Sequence, residues 1–236
     1  MDRRLTGPLL AEGLGTFLFF VVGAGSVVVQ GYPGASGGSG LVGVALAHGL
    51  VLAVLVSALG AVSGGHFNPA VTFGVWICGR MDGARALAYV VAQLVGALAA
   101  GIVLRLVFDP SLDETKLGTP ALGEAVGPVA GIAVEAILTM VLLTAVFGTA
   151  IDPRAPKIGG LAIGLAVAAD ILFGGPLTGA AMNPARWFGP AVASGTFDDW
   201  YVWWIGPLIG AGVVAAIYRS VFLHEADLAR TPASPE

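Results

Sequence analysis

Apolar residues lie along this chain in long blocks, broken by glycine, proline and a few charges, with no strand-like alternation. The blocks fall at about Leu9–Val29, Leu41–Val62, Ala84–Phe108, Val129–Phe147, Ile158–Phe173 and Trp200–Phe222. Their size matches the roughly 20 residues an α-helix needs to cross a hydrocarbon core of about 30 Å. They are too long for barrel strands, and a helix satisfies its own backbone inside lipid. The pattern therefore predicts six membrane-spanning helices. The first block holds Glu12 and is longer and richer in glycine than a cleaved leader, so it reads as a retained span.

Composition narrows the function classes. Of 236 residues, 56% are apolar and 11% charged, and the mean hydropathy is +0.88. Soluble domains carry about 25% charged residues, so an ordinary soluble enzyme and a disordered tail are excluded. A net charge of −4 without a basic block argues against a nucleic-acid partner. Cys78 stands alone, which excludes an intrachain disulfide or a cysteine-based metal cluster. Neither metal nor cofactor is expected.

With six spans both chain ends lie on one side of a membrane. That side collects Arg3, Arg4, Arg80, Arg85, Arg154, Lys157, Arg219 and Arg230, against Arg105, Lys116 and Arg186 on the other. The excess of basic residues predicts cytoplasmic termini and a place in the cell (inner or plasma) membrane. Trp200, Tyr201, Trp203 and Trp204 are expected to form an interfacial belt. Residues 1–5 and 224–236 read as short tails, and 1–236 as one transmembrane domain in contact with membrane lipid.

The chain also repeats itself. Glu12-Gly-Leu-Gly-Thr16 in the first span is answered by Glu135-Ala-Ile-Leu-Thr139 in the fourth. Asn68-Pro69-Ala70 is answered by Asn183-Pro184-Ala185. Each half, about 6–108 and 128–222, has three spans with an Asn-Pro-Ala segment between the second and third. Three is odd, so the second half enters from the opposite face and the repeats are inverted. The segments follow glycine-rich breaks at Ser63-Gly64-Gly65 and at Gly174-Gly175-Pro176 with Gly179. Asn is a strong N-cap and Pro suits the first helical position. Helices should therefore start at Asn68 and Asn183, and the 11 residues from Asn68 to Cys78 would span about 16 Å, half a bilayer core. The fold class is all-α, with six transmembrane helices and two re-entrant half-helices.

Two half-helix N-termini meeting near the midplane make a positive centre that repels cations. If each Asn carbonyl oxygen caps its own helix, each amide NH2 is left to donate into the lumen. A passing water then accepts from both amides and turns its hydrogens outward, which breaks a proton wire. Carbonyls of Gly64, Gly65 and His66, and of Gly179, Ala180 and Ala181, are expected to line a single file. Arg186, three residues past Asn183, is a lone basic group inside an apolar segment and a functional candidate. The plainer reading, an arginine snorkelling to the interface, competes with it.

The two Asn-Pro-Ala motifs, the Arg after the second and the paired Glu-x-x-x-Thr segments together resemble the major intrinsic protein (aquaporin) family, from Ala11-Glu12 to about Tyr218. That resemblance implies a water-conducting channel, a homotetramer, and an outer constriction of four positions, here His48, Ile171, Ala180 and Arg186. Strictly water-selective members resemble Phe and His at the first two positions. The set found here is similar to tonoplast-type and to animal ammonia- and peroxide-permeating aquaporins, and Asp170-Ile-Leu-Phe-Gly-Gly-Pro176 resembles the latter. Glycerol facilitators carry Asp after this Arg, where Trp187 stands here. Water with small neutral solutes such as ammonia, hydrogen peroxide or urea is the expectation, and a glycerol or polyol facilitator is the alternative.

Glu12 and Glu135 admit two readings, a proton relay or acceptors that shape the re-entrant loops, and their duplication favours the second. Asp170 is expected to anchor a loop. A secondary transporter and a structural membrane protein are the competing classes. An enzyme is not expected, because the sequence shows no nucleophile–base constellation.

Overall fold

The computed structural model describes residues 3–33, 38–109, 114–156 and 158–223. The tail 224–236 and Lys157, to which the sequence reading gave places, lie outside the described residues. The described residues form eight α-helices: α1 (Arg3–Gly31), α2 (Gly40–Ser63), α3 (Pro69–Ile77), α4 (Gly83–Val107), α5 (Pro128–Val146), α6 (Gly159–Thr178), α7 (Pro184–Ser194) and α8 (Val202–Ile217). Wider helical turns prolong α5 to Ile151 and α8 to Phe222. Six of these helices are long and apolar enough to cross a membrane; α3 and α7 are the short ones. We call the face where α1 begins and α8 ends proximal, and the opposite face distal.

The half-helices start where the sequence places them. Asn68 and Asn183 have extended backbones, and their Oδ1 atoms accept from Ala70 N (2.8 Å) and Ala185 N (3.0 Å), with Pro first in each helix. The breaks before them are sharper than expected. The helix α6 runs straight through Gly174-Gly175-Pro176 and stops only at Gly179. Gly64 and Gly179 share one device: each adopts a left-handed backbone and donates its N–H to the carbonyl four residues back. A side chain at such a backbone angle is strained, so glycine is the natural stop.

Small residues let the spans approach, the packing mode available where lipid removes a hydrophobic drive. Gly49 of α2 and Gly164 of α6 meet face to face, and a Cβ on either would run into the other's carbonyl oxygen. Each is the repeat counterpart of the other, so the pseudo-twofold axis passes between them. The same reciprocity recurs further out. Gly189 of α7 lies on the Ala97 carbonyl of α4, and Gly74 of α3 faces the Ala211 carbonyl of α8.

A second duplicated device was not read from the sequence. Arg105, in the last turn of α4, donates from Nη1 to the Ala193 carbonyl at the C-terminal end of α7 (2.5 Å). Arg219, just past α8, does the same for Ile77 of α3 (2.8 Å). A cation at the negative end of a helix is stabilising. Each half-helix is thus tied at its C-terminal end to the end of a neighbouring span. The expected belt needs one correction, since Trp203 is fully buried and its Nε1 donates to Thr178 O (2.9 Å).

Candidate functional site

The loops between α2 and α3, and between α6 and α7, carry the centre of the site. Phe67 and Met182, directly before the two asparagines, have positive φ angles of 47° and 52°. Such a backbone costs a residue with a side chain about 1–2 kcal/mol. It turns each carbonyl toward the opposite half. Asn68 Nδ2 donates to Met182 O (2.9 Å), and Asn183 Nδ2 donates to Phe67 O (3.0 Å). The half-helices are therefore stapled N-terminus to N-terminus. The expectation that both hydrogens of each amide are free is corrected here. One N–H of each amide is spent across the junction, and one is left.

Two buried carboxylates hold the strained loops. Glu12 Oε2 accepts from Phe67 N (2.7 Å) and Gln93 Nε2 (2.8 Å), while its Oε1 accepts from Ser63 Oγ (2.6 Å) and His66 N (3.0 Å). Glu135 repeats the pattern with Met182 N (2.7 Å), Thr178 Oγ1 (2.7 Å) and Ala181 N (2.9 Å). Carboxylates already engaged by several donors have little room to relay protons. The threonines of the Glu-x-x-x-Thr pairs act on their own helices instead, where Thr16 and Thr139 donate back to the carbonyls of Glu12 and Glu135.

Several supporting residues carried no signal in the sequence. Tyr89 of α4 donates from its hydroxyl to Ser63 O (2.9 Å), as Trp203 of α8 does from its indole to Thr178 O. One is a phenol and the other an indole, so their equivalence is invisible as a motif. Gln93 donates also to Thr72 Oγ1 (2.9 Å), which in turn pairs with His66 Nδ1 (3.0 Å). Asp170 does not anchor a loop as expected. It is buried, and its Oδ2 has no hydrogen-bond partner.

A cavity of about 680 Å³ runs from Arg80 and Met81 near the proximal face to His48 and Arg186. Gly64, Gly65, His66, Asn68, Ala180, Ala181 and Asn183 line it together with apolar residues that include Val71, Leu142, Ile163 and Val167. Gly179 is not in the lining; it lies against Pro120. Pro69, Ala70, Pro184 and Ala185 are buried in the half-helices behind the lumen.

The four residues expected at the outer constriction, His48, Ile171, Ala180 and Arg186, all border this cavity. Arg186 Nε donates to His48 Nε2 (3.1 Å), and Nη1 donates to Gly118 O (2.8 Å). Because His48 Nε2 accepts, the ring proton sits on Nδ1, which donates to Val44 O (2.9 Å). Gly118 is a fifth participant that the sequence did not reveal. Lys116, Leu117 and Gly118 have φ angles of 52°, 58° and 70°, a tight turn that dips the α4–α5 connection into the distal mouth. Leu117 is buried against Ala24, Leu104 and Ala193, and a Cβ on Gly118 would lie 2.6 Å from Ala24 O.

Inverted three-span halves, stapled half-helices and a cavity bordered by a buried arginine define a multi-pass membrane channel. Comparison with known proteins agrees. The model of the family described as "Major intrinsic protein" matches residues 3–218. Aquaporin TIP4-4 of Zea mays is 45% identical over 229 residues, covering 95% of this chain and 90% of that protein. Aquaporin TIP2-1 of Arabidopsis thaliana is 40% identical over 224 residues, covering 92% and 88%. The X-ray structure of the aquaglyceroporin from Plasmodium falciparum superposes with a TM-score of 0.79 at 22% identity, covering 94% of this chain and 98% of that one, a likeness of fold. The chain belongs to the major intrinsic protein (aquaporin) family.

Proposed function

We propose that this protein is a passive channel whose primary permeant is water, that it excludes protons and ions, and that it also passes small neutral solutes such as ammonia, hydrogen peroxide or urea. The reciprocal Asn68–Met182 and Asn183–Phe67 bonds carry this reading. They fix two amides at one level with a single N–H each to offer. A water there accepts from both and directs its own hydrogens away, so a donor–acceptor chain changes direction at the centre. This is the general physics of aquaporin-type pores, with half-helix dipoles and an arginine as the barrier to cations.

Loop carbonyls supply acceptors on either side of the amides, facing an apolar wall. Arg186 donates at the distal constriction, and His48 fixes its orientation. Ile171 and Ala180 in place of larger rings leave an opening that suits small neutral solutes besides water. We assign the assembly as a homotetramer in the cell membrane with cytoplasmic termini, consistent with the basic excess on the proximal face.

Stopped-flow light scattering on vesicles holding the full chain tests the proposal. The expected result is linear osmotic water flux with low activation energy and no accompanying proton leak. Saturable flux coupled to a pH gradient would establish a transporter instead. Permeability equal to that of empty vesicles would establish a structural role. The same vesicles, challenged with ammonia, peroxide, urea and glycerol, decide the solute range.

A further inference from the structure

At the distal end of α7 and α8, away from the pore, lies a recess walled by Trp187, Phe188, Phe197, Trp200 and Trp204. Its floor is rigid. Trp187 is buried and stacks on Trp203 at 6.0 Å and 8°, and Trp203 is itself bonded to Thr178 O. Phe197 meets Trp187 edge-on at 6.3 Å. The rims are open, with Phe197 and Trp200 each 53% exposed. Phe197 and Trp200 on its outer rim precede Val202, where the last span begins, and so face the lipid headgroups.

The segment joining two of the walls, Phe197 and Trp200, is acidic. Asp198 and Asp199 separate Phe197 from Trp200, and the sequence holds no Lys or Arg between Arg186 and Arg219. Asp199 accepts from the Tyr201 hydroxyl (3.1 Å), which holds the turn, while Asp198 is exposed. Aromatic faces attract cations, and walls made only of rings suit a methylated ammonium that needs no hydrogen bonds. Phosphate would meet two carboxylates. A bare acyl chain would make no use of them.

We propose that this recess binds the quaternary ammonium headgroup of a membrane lipid, held between the tryptophan rings and Asp198. The site is separate from the conducting path, so lipid selection there and water flux are independent properties.

Tryptophan quenching by lipids brominated on their acyl chains tests this with the full chain in vesicles. Phosphatidylcholine and phosphatidylglycerol are mixed in equal amounts, with the bromines on one and then on the other. The expected result is a roughly two- to five-fold preference for phosphatidylcholine, the size of an exposed cation–π contact. Asp198→Asn, which keeps every tryptophan, should reduce the preference toward parity, and Trp200→Leu with Trp204→Leu should abolish it, with water permeability unchanged in both. Equal quenching by the two lipids in the unaltered protein would overturn the proposal and leave an aromatic belt only. A preference that survives both variants would also overturn it, because the selection would then lie elsewhere.

Discussion

At the scale of single residues the constriction and the loop supports respond differently to substitution. Arg186 is held by His48 and Gly118, so its guanidinium has a fixed place in the distal mouth. Arg186→Val with His48→Ala removes both side chains of that pair and widens the opening. The double variant should admit larger polyols, measured as a fall in the osmotic effectiveness of glycerol and sorbitol; unchanged solute preference would remove these positions from the filter. Glu12 and Glu135 differ instructively. Glu135→Gln leaves one amide N–H pointing at Met182 N–H, and hydrogen bonds to charged acceptors are worth about 1.5–3 kcal/mol each. Glu12→Gln creates the same conflict at Phe67, but Gln93 can turn its unpartnered Oε1 toward the new amide. Thermal melts in detergent should therefore show Glu135→Gln lowered by more than Glu12→Gln, even though Glu12 has the extra donor. The reverse order would mean that Gln93 is locked. The asparagines, the arginine and the glutamates were legible in the sequence because each belongs to a duplicated or spaced pattern. Gly118, Tyr89 and Trp203 were not, because a carbonyl, a phenol and an indole leave no shared pattern.

At the scale of elements, close approach between helices decides which glycines matter. At the α2–α6 crossing a Cβ on Gly49 would lie 2.6 Å from the Gly164 carbonyl oxygen and 2.9 Å from Ala168 Cβ. Backbone cannot yield as a side-chain tip can, so Gly49→Ala should cost about 1–3 kcal/mol by overpacking. Since Gly49 and Gly164 obstruct the same gap, their alanine variants should be less than additive once the helices have parted. Melting of both singles and the double checks this, and strict additivity would show that the crossing does not move as a unit. A second connection is electrostatic. Arg154 joins Asp152 (2.7 Å) and the Phe222 carbonyl (2.8 Å), latching the α5–α6 connection to the end of α8. The Arg154 hydrogen bond holds the Asp152 carboxyl below its ordinary range. A depressed folded value means that the contribution is present above the unfolded value of about 3.9 and is lost as pH falls through the folded one. Hydrogen exchange at 152–156 should thus stay slow across neutral pH and quicken only in strong acid, with Asp152→Asn fast throughout. Span number and the inverted halves were visible in the apolar blocks. The continuation of α6 past Pro176 was not, because proline signals a break whether or not neighbouring helices hold the next turn in place.

At the scale of the whole molecule the inverted repeat brings two positive helix ends to one point, and magnitudes say how far that explains exclusion. Two ends of about half a charge each, acting on a monovalent cation about 5 Å away at an effective dielectric of about 20, raise its energy by about 3 kcal/mol. That is about two orders of magnitude in rate, so the loss of hydration inside the apolar wall supplies the remainder for metal ions. A proton can travel along water without such a loss, and for it the amide pair and the positive centre carry the barrier together. Asn68→Asp separates these contributions. The carboxylate keeps an oxygen to cap α3, but it sets a negative charge where two half-positive ends meet, and it forfeits the donor to Met182 O. Asn68→Leu forfeits the donor and the cap without adding charge. If the field matters, vesicles carrying Asn68→Asp should leak protons at least tenfold faster per channel than the unaltered protein, read by an internal pH dye under an imposed potential, while Asn68→Leu stays closer to tight. Equal leak in the two variants would assign proton exclusion to amide geometry alone, and tightness in both would move the barrier away from the junction to Arg186.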